Sequence, residues 1–392
     1  MLGASACAPN LIVLMPRVSV PDSETPAELA RIIGDAIARA GDWIGFDTFM
    51  AQALYEPGLG YYAGPLRKFG STPASGSDFV TAPEMTPLFG QALAAQVADA
   101  LAATGTREIW EFGAGSGALA EQLLGALGER VDRYTIVDVS GSLRERQLVR
   151  LQAHGDRVRW ASALPDAMQG VVVGNEVLDA MPVKLLARVG GHWFERGVTV
   201  GPDGRFVWQD RPTDLRPPVE PEGSHDYLTE IQPQAEAFVR TLADRLQASE
   251  RGGVAFLMDY GFAESEYYHP QRHMGTVMCH RAHLADPDPL SDVGLKDITA
   301  HVNFTGVALA AQDAGLEVLG YTTQARFLMN CGLLDLADQQ PLAARVHAQK
   351  LIMEHEMGEL FKVISLGVLP QAAADVSWLP LGFAQGDRTH TL

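Results

Sequence analysis

Residues 107–118 read Arg-Glu-Ile-Trp-Glu-Phe-Gly-Ala-Gly-Ser-Gly-Ala, an apolar-rich run closing on three glycines spaced two apart. The run predicts a buried strand over residues 107–112, and the glycines a tight turn whose backbone lies close to whatever it meets. A helix through Leu127 follows, then a second strand over residues 134–138 ending on Asp138. Strand, glycine turn, helix, strand and distal acid in that order predict a βαβ unit with a ligand at the carboxyl ends of its strands.

The same alternation extends in both directions. Toward the C-terminus, a helix over residues 142–154 precedes short strands at 157–160 and 170–173. Residues 183–210 break the rhythm with antiparallel strands, turning at Gly190-Gly191 and Pro202-Asp203-Gly204. The proline- and acid-rich stretch 211–224 is expected to be an exposed loop. A helix at 234–246 and a strand at 254–260 resume the sheet, and a helix begins after Thr305. Strands at 316–322 and 361–368, separated by a helical insertion, are expected to form an antiparallel hairpin on the sheet's edge. Toward the N-terminus, Thr25-Pro26-Ala27-Glu28 opens a helix with an apolar stripe at Leu29, Ile32, Ile33 and Ile37. A turn-rich stretch at 55–62 separates it from a second helix running from Thr86-Pro87 to about Thr104.

These elements define an α/β fold of the Rossmann-like type, a mostly parallel sheet with helices on both faces. The expected divisions are a loose tail at 1–24, a helical cap at 25–105 and the first half of the core at 106–182. An inserted antiparallel region at 183–250 comes next, then the second half of the core at 251–370 and a loose tail at 371–392.

Composition narrows the partners. A formal net charge of −18 disfavours phosphate backbones and anionic membranes, while leaving room for a basic protein partner. Three cysteines at wide spacing, Cys7, Cys279 and Cys331, form no disulfide framework, which makes a reducing cytoplasm the expected location. The early apolar run at residues 11–15 is too short to span a bilayer. His269, His273, His280 and His283 with Cys279 match no zinc spacing, so no metal is expected. Trp193 and Phe194 read as core residues rather than a binding platform.

Taken alone, Gly113, Gly115 and Gly117 with Ala118 also satisfy the dinucleotide pattern, and Asp138 suits the ribose of either NAD or S-adenosylmethionine. Glu111 separates the two. A carboxylate just before the glycines would repel a pyrophosphate but stabilise a sulfonium or ammonium group. A second constellation, Gly174-Asn175-Glu176-Val177-Leu178-Asp179-Ala180-Met181-Pro182, follows the fourth strand at the same edge of the sheet. Glu176 and Asp179 lie three apart, one helical turn, and are expected to face one ligand together. With Asn175 they can orient a methyl acceptor, and a guanidinium would need such carboxylates to fix its plane. The plainer reading is a helix cap beside a surface acid.

Across its length the chain resembles the MidA-type family, which includes the mitochondrial complex I assembly methyltransferase. The resemblance runs through Tyr55-Glu56-Pro57, Gly60-Tyr61-Tyr62, residues 77–90, Glu111 to Gly117 and residues 136–140. It continues through Asn175 to Pro182, Asp259-Tyr260-Gly261, Gly275-Thr276 and residues 297–302. It implies a class I core using S-adenosyl-L-methionine, with Glu111, Gly113, Gly115, Gly117 and Asp138 toward the cofactor. It also implies a protein arginine as acceptor, by family resemblance on a respiratory-complex subunit. Asn175, Glu176 and Asp179 would orient that arginine, and Asp78, Glu84 and His301 would contact the substrate. By the resemblance, Asn303 stands where an aspartate is expected in many members, and Ser77 where glycine usually precedes Asp78. A small-molecule methyltransferase, an NAD-dependent oxidoreductase and a non-catalytic assembly factor are the alternatives.

Overall fold

The computed structural model describes residues 24–64, 80–138, 141–370 and 378–392. Its centre is a sheet of seven main strands: β1 (Glu108–Phe112), β2 (Arg133–Val137), β3 (Val158–Ala161), β4 (Gly170–Asn175), β5 (Gly253–Phe262), β6 (Glu317–Thr323) and β7 (Phe361–Val368). The order across the sheet is β6-β7-β5-β4-β1-β2-β3. Strands β1 to β5 are mutually parallel, as the alternating pattern requires. β7 runs antiparallel to both β5 and β6. The antiparallel pair expected at the edge is therefore present, but β7 lies inside the sheet and β6 alone forms the edge. β7 suits an interior place because both of its faces are buried: Phe361, Val363, Ile364, Ser365 and Leu366 are all shielded from solvent.

Helices cover both faces. On one, Leu88–Thr104 and Ala118–Leu127 pack with Gln324–Asn330 and Leu342–Ile352, joining Leu93, Leu123, Phe256, Phe327 and Leu351 in one core. On the other, Pro233–Gln247 and Phe304–Asp313 bury Val239, Leu242, Phe304 and Val307 against Val172, Leu257 and Ile364. Crossovers on both faces leave the carboxyl ends of β1, β2, β4 and β5 open at one edge, where a parallel sheet holds its ligand.

Two additions roof that edge. The first is the N-terminal pair of helices, Glu24–Arg39 and Phe46–Tyr55. The second is an antiparallel sheet built from Lys184–Val189, His192–Val200, Phe206–Pro212 and Tyr227–Ile231. They form one unit: Ile44 and Gly45 pair with Val198 and Gly197, and Leu29, Ile33, Phe46 and Phe49 share a core with Leu185 and Val198. Gly197 permits this contact, because a Cβ there would lie 2.2 Å from the Ile44 carbonyl oxygen and 2.4 Å from the Trp43 ring. Trp193 is buried beside Leu186 and Tyr227, in agreement with its reading as core.

The C-terminal segment differs from expectation. Residues 378–392, expected to be loose, are anchored along the chain. Trp378 Nε1 donates to Asp99 at 3.1 Å, the Gly382 N–H to Gln96 at 2.7 Å, and the Tyr321 N–H to Asp387 at 3.0 Å. Phe383 is buried, its ring centroid 5.4 Å from that of Phe327. Among the described residues no helix is long and apolar enough to cross a membrane.

Candidate functional site

A cleft of 1080 Å³ lies over the carboxyl ends of β1, β2, β4 and β5, beneath the roof. Its first half is built on the glycine turn. Gly113, Gly115 and Gly117 all take positive φ, at 64°, 53° and 82°. A Cβ on Gly113 would also come to 3.1 Å from the Val177 side chain, so the strand end and the turn after β4 close on each other there.

Glu111 lies beneath this turn, buried and accepting a 2.7 Å hydrogen bond from the Tyr134 hydroxyl. Burial pushes its carboxyl up to about 8, against the Tyr134 hydrogen bond that favours the charged form. A cationic group alongside restores the ionised state, whereas a pyrophosphate would oppose it. Asp138 follows β2 and lines the same half of the cleft. This cradle fits S-adenosyl-L-methionine: the turn for close backbone approach, Glu111 for positive charge and Asp138 for the ribose hydroxyls.

A residue the sequence reading did not single out ties these parts together. Gln147, fully buried on the helix Gly141–Leu151, donates from Nε2 to the Gly115 carbonyl at 2.9 Å and to Asp138 at 3.0 Å. Its Oε1 accepts from Trp160 at 2.9 Å, which fixes the amide orientation. A glutamine on an amphipathic helix carries no local signal for this role; only the crossover geometry supplies it.

Glu84 also falls on this side. It accepts from the Ser116 hydroxyl and pairs with Arg150 at 3.3 Å, so it braces the glycine turn. It also lines the cleft wall, where a substrate contact was expected. Asp78 lies outside the described residues.

The second half of the cleft gathers acids. Asn175 ends β4, and its amide donates to Glu176 at 2.9 Å. Glu176 adopts φ 55°, a left-handed conformation that is costly for a residue with a side chain, and its N–H donates to the Met258 carbonyl at 2.8 Å. Residues 176–181 form a turn rather than the helical turn expected from their spacing. The left-handed backbone at Glu176 breaks the helix at its start, yet both Glu176 and Asp179 face the cleft.

The turn is held by Asp259 on β5. Its Oδ2 accepts from the N–H groups of Val177 at 3.1 Å, Leu178 at 2.9 Å and Asp179 at 3.2 Å, and its Oδ1 from Tyr260 at 2.9 Å. Tyr260 in turn hydrogen-bonds the Asp179 carboxylate. From the N-terminal cap, Tyr55 donates to the Ala180 carbonyl and Tyr62 to Asp297, each at 2.8 Å, with their rings stacked 5.6 Å apart.

Glu176, Asp179 and Asp297 thus line one end of the cleft, and Glu176, Asp179 and Asp259 have no lysine, arginine or histidine at ion-pair distance among the described residues. Burial, followed by the neighbouring Asp179, pushes Glu176 up to about 8. Asp179 and Asp259 are raised in the same direction, again chiefly by burial. Buried acids of like charge held this close require protons or a cation.

His301 lines the wall between the Tyr260 and Phe262 rings, each 5.2 Å away. Burial, Arg272 and Lys362 lower its pKa to about 4, so it is neutral at physiological pH. Asn303 caps the helix Phe304–Asp313 by accepting the Gly306 N–H at 3.2 Å. Of the four histidines His280, on the strand Met278–Arg281 rather than in a loop, alone lines the cleft, and the described residues contain no group of three or more ligands able to hold a metal.

Glycine turn, buried acid, ribose carboxylate and acid-lined acceptor end, on this strand order, define a class I methyltransferase. The comparisons agree. The chain belongs to the S-adenosyl-L-methionine-dependent methyltransferase family whose sequence profile matches residues 92–322. It is similar to a Burkholderia thailandensis protein crystallised with S-adenosyl-homocysteine, at 47% identity and a TM-score of 0.88, covering 96% of this chain and 100% of that one. A protein arginine methyltransferase NDUFAF7 of Danio rerio mitochondria is 27% identical over 90% of both chains. The Homo sapiens protein of that name is 25% identical over 81% of this chain and 78% of its own. The cofactor is S-adenosyl-L-methionine, which resolves the ambiguity that the glycine pattern left with NAD.

Proposed function

We propose that this enzyme methylates an arginine side chain of a protein. The observation that carries the reading is the group of carboxylates, half-buried Glu176 with buried Asp179 and Asp297, at the acceptor end of a cleft whose other end suits the cofactor. A guanidinium is planar, always charged and rich in N–H donors, and it satisfies several carboxylates at once. A neutral hydroxyl acceptor would leave the acids mutually repelling. The mitochondrial relatives named as protein arginine methyltransferases support the same acceptor. By the resemblance above, a respiratory-complex subunit is the first acceptor to assay.

S-adenosyl-L-methionine supplies a methyl carbon made electrophilic by the adjoining sulfonium. The chain's own part is to place the acceptor nitrogen and accept its proton. Asp259 sets the backbone from which Glu176 and Asp179 project, and Tyr260 orients Asp179. A guanidinium arriving between them stabilises the ionised carboxylates and releases the protons that burial retains. Hydrogen bonds to its outer N–H groups localise charge away from the attacking nitrogen. As the new C–N bond forms, the N–H proton passes to the Glu176 carboxylate, and the C–S bonding pair stays on sulfur as S-adenosyl-homocysteine leaves. Tyr55, Tyr62 and the roof exclude water from the transfer.

The test is incubation of the purified enzyme with methyl-labelled cofactor and a lysate of cells lacking it, followed by mass spectrometry. Label on arginine of one or a few proteins is expected. Label confined to small molecules would contradict the reading.

A further inference from the structure

A second depression, of 1300 Å³, runs along the outside of the roof. Its walls are the helix Glu24–Arg39, the hairpin formed by His192–Val200 and Phe206–Pro212, and the loop at 288–293. Val200, Val207 and Trp208 line it at 41%, 40% and 37% exposure, an apolar strip open to solvent among the described residues.

This groove shares its walls with the catalytic cleft. Trp208 lines both, held by Phe46 at 5.3 Å between ring centroids and by Arg196 at 6.0 Å from its ring. The neighbouring loop alternates: Pro287 and Pro289 line the cleft, while Asp288 and Leu290 line the groove. The two depressions therefore share the Trp208 indole and the loop 287–290 as walls. The groove is also net acidic: Asp35, Asp42, Asp203, Asp288 and Asp292 line it with only Arg31 and Arg205, although Asp35, Asp203 and Asp292 are ion-paired with Arg31, Arg205 and Arg281.

We propose that this groove seats the polypeptide flanking the methylated arginine, as an extended segment with basic and apolar side chains. The proposal rests on the arginine reading above and adds where the acceptor's main chain lies. A side chain entering the cleft beside Trp208 would leave its flanking residues against Val200 and Val207, with the aspartates meeting their positive charges.

The probe is a fluorescein-labelled peptide of lysines and leucines around a single central arginine, titrated by anisotropy with S-adenosyl-homocysteine present. A second peptide carries norleucine in place of that arginine. Asp35→Lys combined with Val207→Lys changes exposed groove residues that do not line the cleft. The double variant is expected to weaken both peptides tenfold or more, with cofactor affinity unchanged as the control for folding. Groove variants that alter neither peptide, while Glu176→Gln weakens the arginine peptide, would overturn the groove and leave the arginine reading standing. Equal affinity for the two peptides, both weakened by the groove variant, would uphold the groove and refute the arginine reading. Failure of both peptides to bind would overturn the proposal. So would loss of self-association in sedimentation without any effect on peptide, which would make this face a contact between copies of the chain.

Discussion

The carboxylate of Asp259 accepts the backbone N–H of Asp179 at 3.2 Å, so one buried acid positions another. The same oxygen takes the N–H groups of Val177 and Leu178, and together these bonds hold the left-handed turn that begins at Glu176. Asp259 lies behind the cleft wall rather than on it, which makes it a positioning residue.

Removing this acceptor should therefore cost both stability and turnover. Asp259→Ala removes the carboxylate acceptor of four N–H groups, three of them in the turn, and a loss of about 2–4 kcal/mol in unfolding free energy is expected. Asp259→Asn retains one acceptor oxygen and should recover most of the stability. Urea unfolding of the two variants checks this. Equal stability of the alanine and asparagine variants would show that the hydrogen bonds to the turn are unimportant.

Gln147 should act on cofactor affinity. Gln147→Ala removes its hydrogen bonds to Asp138 and the Gly115 carbonyl and the one it accepts from Trp160; the two on the cofactor side are worth about 1–3 kcal/mol in total. Calorimetric titration with S-adenosyl-homocysteine should show a dissociation constant raised by roughly tenfold or more. Gln147→Glu, which places an acid against Asp138, should be worse still. An unchanged constant in both would remove Gln147 from the cofactor site.

Glu111 gives a pH signature whose sign follows from burial. Its folded-state pKa of about 8 lies above the ordinary value of 4.5, so the folded chain retains a proton that the unfolded chain has released. Stability therefore falls as pH rises from about 4.5 to about 8, and levels off above that. Glu111→Gln, which cannot titrate, should show a shallower decline across this window in scanning calorimetry. The difference scales at roughly 2–4 °C per kcal/mol of linkage. Melting curves of the two proteins that run parallel with pH would contradict the assignment.

How far the site could be read from sequence depends on how local each signal is. The glycine turn, Glu111 and Asp138 sit on consecutive elements, and periodicity with turn chemistry brings them to one edge of the sheet. Asn175, Glu176 and Asp179 follow a strand end and face the cleft, although through a turn instead of a helix. What reaches across the chain was not legible. Asp259 meets Val177 from 82 positions away, and Gln147 meets Gly115 from 32. Glu84 shares a segment with residues expected at the substrate, yet its bond to Ser116 turns it toward the cofactor side. The C-terminal segment carries no strong periodicity, and its order comes from tertiary partners such as Gln96 and Asp99. β7 sits inside the sheet because the chain runs from β5 out to the edge strand β6 and then returns antiparallel into the place between them, a choice no local pattern in β7 records.

The central claim is that buried carboxylates orient a cationic acceptor, and Glu176→Gln tests it most directly. Glutamine keeps the shape and the bond to Asn175, but removes the charge that a guanidinium would meet and the base that would take its proton. The measurement is single-turnover methyl transfer to the identified acceptor, beside a cofactor titration of the same preparation. Transfer slowed by roughly two or more powers of ten at unchanged cofactor affinity is the predicted result. Transfer at the wild-type rate would contradict the acceptor mechanism.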